Sequence, residues 1–280
     1  MPLYAAVDVR RLVLILLVPS LATGAMTACN DSDRSVQFGF RPEAGAKYRY
    51  EIKVESVTTT VLGDEAPERS VDEVALESRD TVLSATPDEV KVQVELRRAG
   101  SPDRTFRVRF DRGAQLAGID AVDGLPPTVL GPVGLPEFLP AAATAPPDRP
   151  LSPGEKWKIE ATPTLSGAAP VRLEGTGRLV KVTTSGGRKV ASIRAETSVP
   201  LSSTSRVGDA TVTISGTEKT ESTATRALVD GLVEEANSTT RGSYNLTLSP
   251  NTGGGVAVTG TMVVEIRAQT RRLPDDPGKT

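Results

Sequence analysis

A strict alternation of apolar and polar side chains is the feature that most constrains the fold of this 280-residue chain. Across residues 47–55 an aromatic or aliphatic residue occupies every even position and a charged residue every odd position. Similar runs cover residues 90–97, 106–110 and 261–267. Because successive side chains of a β-strand point to opposite faces, each run predicts a strand with one buried face. Buried parallel strands would be apolar on both faces, so the pattern favours antiparallel sheets.

The remaining sequence is also typical of β-structure. Valine and threonine, which favour strands, are frequent, and turn sequences such as Pro87-Asp88 and Ser185-Gly186-Gly187 separate the runs. After residue 28, no stretch of ten or more residues has convincing helical periodicity. The stretch 209–226, rich in threonine and serine, predicts an exposed hairpin or an edge strand. We therefore predict an all-β fold of antiparallel sheets.

A weak internal repeat divides the predicted strands into two halves. The segment Gly45–Tyr50 resembles Gly154–Ile159, and the stretch between the halves is rich in proline. This pattern predicts two pseudo-repeated β-sandwich or half-barrel units joined by a Pro-rich linker, either as tandem domains or as one pseudo-duplicated sandwich. The predicted boundaries are 45–124 for the N-terminal β unit, 125–153 for the linker, 154–272 for the C-terminal β unit and 273–280 for a disordered tail.

The first residues have the layout of a secretory signal. Arg10 and Arg11 precede the apolar stretch 12–22, which contains Pro19. This stretch is much shorter than the roughly 20 residues that a membrane-spanning helix needs. The sequence therefore predicts a signal peptide over residues 1–28.

The residues Met26-Thr27-Ala28-Cys29 close this signal, and Cys29 is the single cysteine of the chain. They resemble the lipobox of bacterial lipoproteins, with Met26 where that family usually has leucine. The resemblance implies cleavage between Ala28 and Cys29 and attachment of lipid to the Cys29 thiol. It implies a location in the cell envelope, anchored to the periplasmic or extracytoplasmic face of a bacterial membrane, with residues 29–44 as a lipidated polar tether. The alternative is an ordinary secretory signal cut near Ala28, which leaves a free thiol.

The mature part also resembles a family of uncharacterised, secreted, β-rich bacterial proteins. Members of that family have a Gly-x-x-Tyr/Trp strand opener, a proline-rich middle and then a Pro-Gly-x-x-Trp opener. The matching residues here are Gly45, Tyr48, Pro153, Gly154 and Trp157. The resemblance implies the two-part β architecture and brings no assigned activity.

The composition argues against several kinds of chemistry. The chain has no histidine and one cysteine, which excludes Ser-His-Asp triads, His-ligated zinc and intramolecular disulfides. Lys+Arg number 33 and Asp+Glu number 35, a formal net charge of -2 without the basic excess of a nucleic-acid-binding protein. We predict no cofactor, no metal site and no nucleic-acid partner.

Acidic pairs and the single tryptophan are the remaining candidates for a site. Paired carboxylates can hydrolyse glycosides or bind calcium, but here most occupy turn-like contexts that indicate solvated side chains. Trp157 could stack on a ligand, although a core position fits its strand context better. The acidic residues are Asp31, Asp33, Asp64, Glu65, Asp72, Glu73, Asp88, Glu89, Asp275 and Asp276.

These observations favour a non-enzymatic envelope lipoprotein with a binding or structural role. Its partners would be the membrane, through lipidated Cys29, and a protein or a wall polymer. The alternative is a periplasmic carrier of a lipid or other hydrophobic ligand in a curved β-sheet, which requires more apolar residues on the concave face than a core needs. A hydrolase that relies on carboxylates alone is disfavoured because the chain has no motif for it.

Overall fold

A computed structural model describes residues 35–100, 102–122, 144, 146–162, 164–165, 172–207, 210–250 and 256–274. Within these ranges all regular secondary structure is β-strand, which confirms the all-β prediction. Among these residues there is accordingly no helix long and apolar enough to cross a membrane.

The described residues form fourteen strands. In chain order they are β1 (Val36–Gln37), β2 (Lys47–Leu62), β3 (Glu68–Ala85), β4 (Val90–Arg98), β5 (Arg104–Phe110), β6 (Leu116–Val122), β7 (Pro150–Leu151), β8 (Lys156–Ala161), β9 (Thr164–Leu165), β10 (Leu173–Ser185), β11 (Arg188–Val207), β12 (Ala210–Ala227), β13 (Val233–Pro250) and β14 (Val258–Arg272).

Twelve of these strands form one sheet in the order β8-β10-β11-β12-β13-β14-β2-β3-β4-β5-β6-β9, and β1 pairs with β7 in a separate small sheet. Every pairing in the large sheet is antiparallel except that of β6 with β9. The two edge strands, β8 and β9, are separated in sequence by only residues 162 and 163. The sheet therefore curls until its edges nearly meet and is barrel-like.

The two predicted β units contribute to one continuous sheet. The last strand, β14, pairs with β2 from Gly260 opposite Leu62 to Arg272 opposite Tyr50. Separate sandwiches are therefore not what these residues form. Of the predicted linker, Pro150–Leu151 is strand β7 with Leu151 fully buried, whereas residues 123–143 and the predicted tail from residue 275 lie outside the described residues.

The strands differ greatly in length, and this gives the sheet two unlike ends. Six neighbouring strands (β11 to β14, β2 and β3) have 15 to 20 residues, whereas β4, β5, β6 and β8 have six to nine. The register aligns the β3–β4, β5–β6, β10–β11 and β12–β13 turns at one end, which we call the closed end. At the other end β3 runs beyond β4 over residues 68–75, and β11 runs beyond β10 over residues 199–207. This six-stranded extension is called the extended wall.

The N-terminal residues 35–41, called the strap, cross the closed end. Phe38 and Phe40 are buried on either side of Gly39. The backbone N–H of Phe40 donates to the carbonyl of Arg112 at 2.8 Å, and the N–H of Arg41 donates to the carbonyl of Asp230 at 2.9 Å. The polar tether predicted over residues 29–44 therefore differs from the structure, because Val36 to Phe40 belong to the folded unit.

The strap joins the two halves of the core. Phe40 packs edge-on against Phe110, with 5.5 Å between ring centroids, in the cluster that contains Tyr50, Ile52 and Val94. Phe38 packs in the second cluster with residues of the β8–β11 side. Burial of a phenylalanine contributes about 1.5–3 kcal/mol, so the strap stabilises the closed end as well as covering it.

Trp157 lies in that second cluster and is 5% exposed. A Cβ atom on the cross-strand residue Gly177 would lie 2.1 Å from the indole ring, so only glycine leaves room for the tryptophan there. This confirms the core position that the strand context predicts for Trp157.

Candidate functional site

The inner face of the large sheet is defined by the positions that carry Tyr50 and Ile52. Cross-strand register extends this face to the even positions of β2, β3, β12, β13 and β14 and to the odd positions of β11. Side chains at these positions include most of the buried residues of the six strands, among them Tyr244, Ile266 and Ala268.

Strands β12 and β13 carry matched inner-face pairs that change in character along the wall. Starting from the tip of the wall, aliphatic pairs are followed by two glycine-containing pairs, then by hydroxyl pairs and finally by alanines. The pairs are Val212–Leu248, Ile214–Leu246, Gly216–Tyr244, Glu218–Gly242, Thr220–Thr240, Ser222–Ser238 and Ala224–Ala236. This ladder is the candidate functional site, because it gives one sheet face an apolar part and a polar part.

Tyr244 and Glu218 mark the boundary between the two parts. The Tyr244 ring lies along the sheet over Gly216 and Gly242, since a Cβ at these glycines would be 2.8 Å and 2.3 Å from its ring carbon and hydroxyl oxygen. Its hydroxyl donates a hydrogen bond to the Glu218 carboxylate. Tyr244 is 2% and Glu218 5% exposed. Two glycines thus let an aromatic ring lie flat and hold a carboxylate in place.

Aliphatic side chains surround this pair on the inner face. Leu201, Val264 and Ile266 are buried against Tyr244, and Ile214 and Met262 are partly buried beside them. Nearer the tip, Val258 is exposed. Across the inner positions of Ala191–Leu201 in β11, 210–224 in β12, 236–250 in β13 and 258–270 in β14, Glu218 is the single charged residue.

A second polar cluster lies at the closed end. The Ser78 hydroxyl donates to the Asp80 carboxyl at 2.6 Å. Burial raises the pKa of Asp80 to about 7, and the hydrogen bond from Ser78 opposes the rise. Burial also raises the pKa of the neighbouring Tyr50 hydroxyl, and the Asp80 carboxyl adds to the increase.

Arg226 completes this cluster and supports the strap. Burial lowers the pKa of its guanidinium to about 10. Its Nη1 donates to the carbonyl of Gly231 at 2.8 Å, in the turn whose Asp230 carbonyl accepts the Arg41 N–H. Arg226 therefore holds the β12–β13 turn in the position that the strap needs, and we assign it a structural role.

Of the predicted site residues, those that the structure describes belong neither to the ladder nor to the Asp80 cluster. Ala28 and Cys29 lie outside the described residues, as do Asp31, Asp33, Asp275 and Asp276. The other acidic candidates confirm the prediction of solvated side chains: Asp64, Glu65, Asp72, Glu73 and Asp88 are exposed, and Glu89 is half-buried beside Lys91 and Arg109. Among the described residues, no group of three acidic, cysteine or histidine side chains could hold a metal ion.

Sequence reasoning missed Asp80, Glu218 and Arg226. Each is a charged residue at an inner position of a strand, where the alternation calls for an apolar or small side chain. That break in the pattern was the available signal. The edge-strand alternative for the stretch 209–226 is wrong: its described residues belong to β12, which pairs with β11 on one side and with β13 on the other and is therefore a central strand.

Two open depressions lie away from the ladder. One, of about 280 Å³, contains Asp111 and Asp148, but Arg112 pairs with Asp148 at 3.6 Å and Asp111 accepts the backbone N–H of Gly113. The other, of about 440 Å³, lies beside Glu77 and Leu273, where β4 ends. Glu77 forms ion pairs with Arg49 and Arg79, which hold the pKa of its carboxyl below the usual value. Both depressions therefore have side chains that already bind each other.

No family model matches the chain, and no curated protein matches it. Solved structures that align with it include a loop L8 deletion mutant of OmpT, an outer membrane protein of Vibrio cholerae, at 10% identity over 81% of this chain and 100% of that chain, with a TM-score of 0.21. A protein of unknown function of the DUF3598 family from Nostoc punctiforme aligns at 14% identity over 77% of this chain and 95% of that chain, with a TM-score of 0.11. OccK11 (OpdR) of Pseudomonas aeruginosa aligns at 7% identity over 86% and 99%, with a TM-score of 0.13.

Proposed function

We propose that the chain is a bacterial envelope lipoprotein, anchored through Cys29, whose β-sheet has a non-enzymatic binding role. The inner face of the extended wall carries the proposal for binding. The sequence around Cys29 carries the proposal for anchoring. The strap supports the proposal because it begins only a few residues after Cys29. Ser35 follows Cys29 by six residues, which reach at most about 20 Å, so a lipid on Cys29 would keep the closed end near a membrane surface.

The residues favour binding over catalysis. Asp80 is the residue whose pKa of about 7 would suit acid–base chemistry. It is only 6% exposed, within the core of the closed end, and its near neighbours are Ser78 and Tyr50. A substrate would have to displace that core to reach the carboxyl.

An apolar molecule is the ligand that the inner face favours. At the closed end the strap and the two hydrophobic core clusters already fill the core. Beyond it, the aliphatic pairs Val212–Leu248 and Ile214–Leu246 continue the apolar face. The charged residues of β13 and β14, such as Arg241 and Glu265, pair with each other at outer positions. A carrier of a hydrophobic ligand requires more apolar residues on one sheet face than the core itself uses, and these aliphatic pairs supply them.

The anchoring proposal predicts that Cys29→Ser blocks lipidation. Expressed with its signal in a bacterial host, the full chain should incorporate labelled palmitate and lose residues 1–28. The Cys29→Ser chain should take up no label and accumulate as a precursor, because in the lipoproteins that this motif resembles the signal is cut after the thiol has been modified. Ser32→Ala is the matched control and should behave like the unchanged chain. Palmitate label retained in Cys29→Ser would contradict the proposal.

The binding proposal predicts a bound apolar molecule. Residues 31–280 form one compact unit, so residues 30–280 exported behind an ordinary signal contain the whole of that unit. Native mass spectrometry should show a stoichiometric adduct that organic solvent extracts. Ile214→Asp, which puts a charge among the aliphatic pairs, should abolish the adduct, and the outer-face change Thr213→Asp should retain it. An unliganded protein that also fails to bind added lipid extract would count against this role.

A further inference from the structure

We propose that the closed end of the sheet rests on an anionic lipid surface, with the β12–β13 turn in contact with the headgroups and the extended wall directed away from the membrane. The inference rests on the proposed anchoring through Cys29 and adds the surface of the protein that contacts the membrane. Three observations carry it: the reach of the anchor, the apolar side chains exposed near the strap and the unlike charges of the two ends.

The anchor limits which end of the sheet can approach the membrane. The strap begins six residues after Cys29 and crosses the closed end. Six residues reach at most about 20 Å. Strand β12 runs from Ala227 at the closed end to Ala210 at the tip of the wall, about 58 Å of strand at about 3.4 Å per residue. A strand tilt of about 40° still leaves about 45 Å between the two ends, so an anchored chain cannot bring the tip to the membrane with the closed end turned away.

An exposed valine lies beside the strap. Val229 occupies the β12–β13 turn and is 74% exposed, whereas Leu228 is half-buried and Leu232 is buried. The same turn holds the strap, because the Arg41 N–H donates to the carbonyl of Asp230 at 2.9 Å. Single exposed apolar side chains are ordinary, and the position of this one is what matters. Val229 projects from the end that the anchor holds near the membrane, where contact with lipid would remove it from water.

A second apolar side chain is exposed at the closed end. Leu83 lies at the irregularity in the pairing of β3 with β4, where β3 has one extra residue. The adjacent Val82 donates its N–H to the carbonyl of Ala46 at 3.0 Å and accepts the N–H of Gly45 at 2.8 Å. Residues 45 and 46 follow the strap closely in sequence. Leu83 therefore gives the closed end an apolar contact on the β3 side, in addition to Val229.

The β10–β11 hairpin gives the closed end exposed cations. Residues 181–189 contain no acidic residue and three exposed cations, Lys181, Arg188 and Lys189. Arg188 also pairs with Glu234 at 3.6 Å. The Leu228 N–H donates to the carbonyl of Lys189 at 3.0 Å, so the hairpin adjoins the turn that carries Val229. An anionic lipid surface attracts lysine and arginine side chains close to it.

The tip of the wall has the opposite character. Its β2–β3 turn, residues 63–68, is exposed and contains three acidic residues and no cation. An anionic lipid surface would repel this turn. The reach of the anchor and the charges of the two ends therefore favour the same orientation.

Spin labels on single introduced cysteines test this orientation in the full chain, processed in a bacterial host and reconstituted in vesicles of phosphatidylethanolamine and phosphatidylglycerol. Cys29 is the single cysteine of the chain, so once its thiol carries lipid an introduced cysteine is the only free thiol. Val229→Cys reports on the closed end. The matched controls are two other exposed valines: Val256→Cys beside the tip and Val263→Cys on the outer face of the wall.

The measured quantity is the collision rate of each label with a water-soluble nickel chelate, relative to the same label on residues 30–280 in buffer. We expect the vesicles to lower this rate at least about threefold for the label at Val229 and to leave it unchanged at Val256 and Val263. All three side chains are exposed, so each variant should melt at the temperature of the unchanged chain.

The outcomes separate this inference from the anchoring on which it rests. A chain that carries no lipid and does not float with the vesicles would overturn both. A chain that floats while the labels at all three positions stay equally accessible to nickel would overturn the inference and leave the anchoring in place, as would protection at Val256 or Val263 instead of Val229. Vesicles of phosphatidylcholine alone, which carry no net charge, should give weaker protection at Val229, and unchanged protection would overturn the part assigned to the cations.

Discussion

Gly231→Ala should destabilise the protein by about 3 kcal/mol or more in urea unfolding, because the new side chain would strain the turn and would also clash with the strap. Gly231 has a φ of 74°, where a side chain costs about 1–2 kcal/mol. A Cβ there would also lie 2.4 Å from the carbonyl oxygen of Gly39 and 3.1 Å from Cα of Phe40. The strap would have to lift, and the burial of Phe38 and Phe40 would be partly lost.

A second glycine separates the two causes. Gly187 has a φ of 77°, and nothing lies within 4 Å of a Cβ built on it. Gly187→Ala should therefore show the backbone cost alone, about 1–2 kcal/mol. Equal losses in the two variants would mean that contact with the strap adds nothing at Gly231.

Asp80→Asn should stabilise the protein at pH 8 by about 2–4 kcal/mol and leave it nearly unchanged at pH 4. The pKa of Asp80 is about 7 in the folded protein and about 3.9 when unfolded, so the folded state binds the proton more tightly. Stability from this group is fully present below about pH 4, falls as the pH rises to about 7, and is constant above that. Asparagine resembles the neutral acid and can still accept the hydrogen bond from Ser78.

Urea unfolding of both proteins at pH 4, 6 and 8 measures this effect. The relevant quantity is the difference in unfolding free energy between the two proteins at each pH, since other carboxyl groups titrate in both. Asp72→Asn serves as the control, because Asp72 is an exposed carboxyl on the same strand. A difference for Asp80→Asn that is the same at all three pH values would show that Asp80 is not the titrating group.

Local alternation was enough to predict several strands but not their arrangement. The runs at 47–55, 90–97 and 106–110 lie inside β2, β4 and β5, as predicted. The stretch 209–226 was not recognised as a central strand, because its inner positions after Ile214 hold glycine, glutamate, hydroxyl and alanine residues, which give little hydrophobic contrast with the threonines outside. The pairing of β14 with β2 is non-local, and a period of two does not specify which strand is the neighbour.

The candidate site was less predictable than the fold for a related reason. Glu218 and Asp80 matter because of the face they occupy, and a face is known only when register is known. From the sequence alone, Gly216 and Gly242 predict a weakened strand, because glycine has no side chain to pack. The structure shows that both make room for the ring of Tyr244. The sequence motif at Cys29, by contrast, is contiguous, and a contiguous motif needs no register to be recognised.

The pairing of β2 with β14 has a consequence for how the protein folds during its synthesis and export. A chain that leaves the ribosome or a translocation channel amino end first presents β2 long before residues 258–272 follow, so one side of β2 must wait for its hydrogen-bonding neighbour. Such long sequence separation slows folding and leaves a strand edge open to wrong partners. On the other side of β2, residues 68–75 of β3 extend beyond β4 and also form a free strand edge. The acidic residues Glu68, Asp72 and Glu73 on this edge disfavour its pairing with other strands. Arrival of β14, and not synthesis of β2 to β6, would then determine when the large sheet is complete.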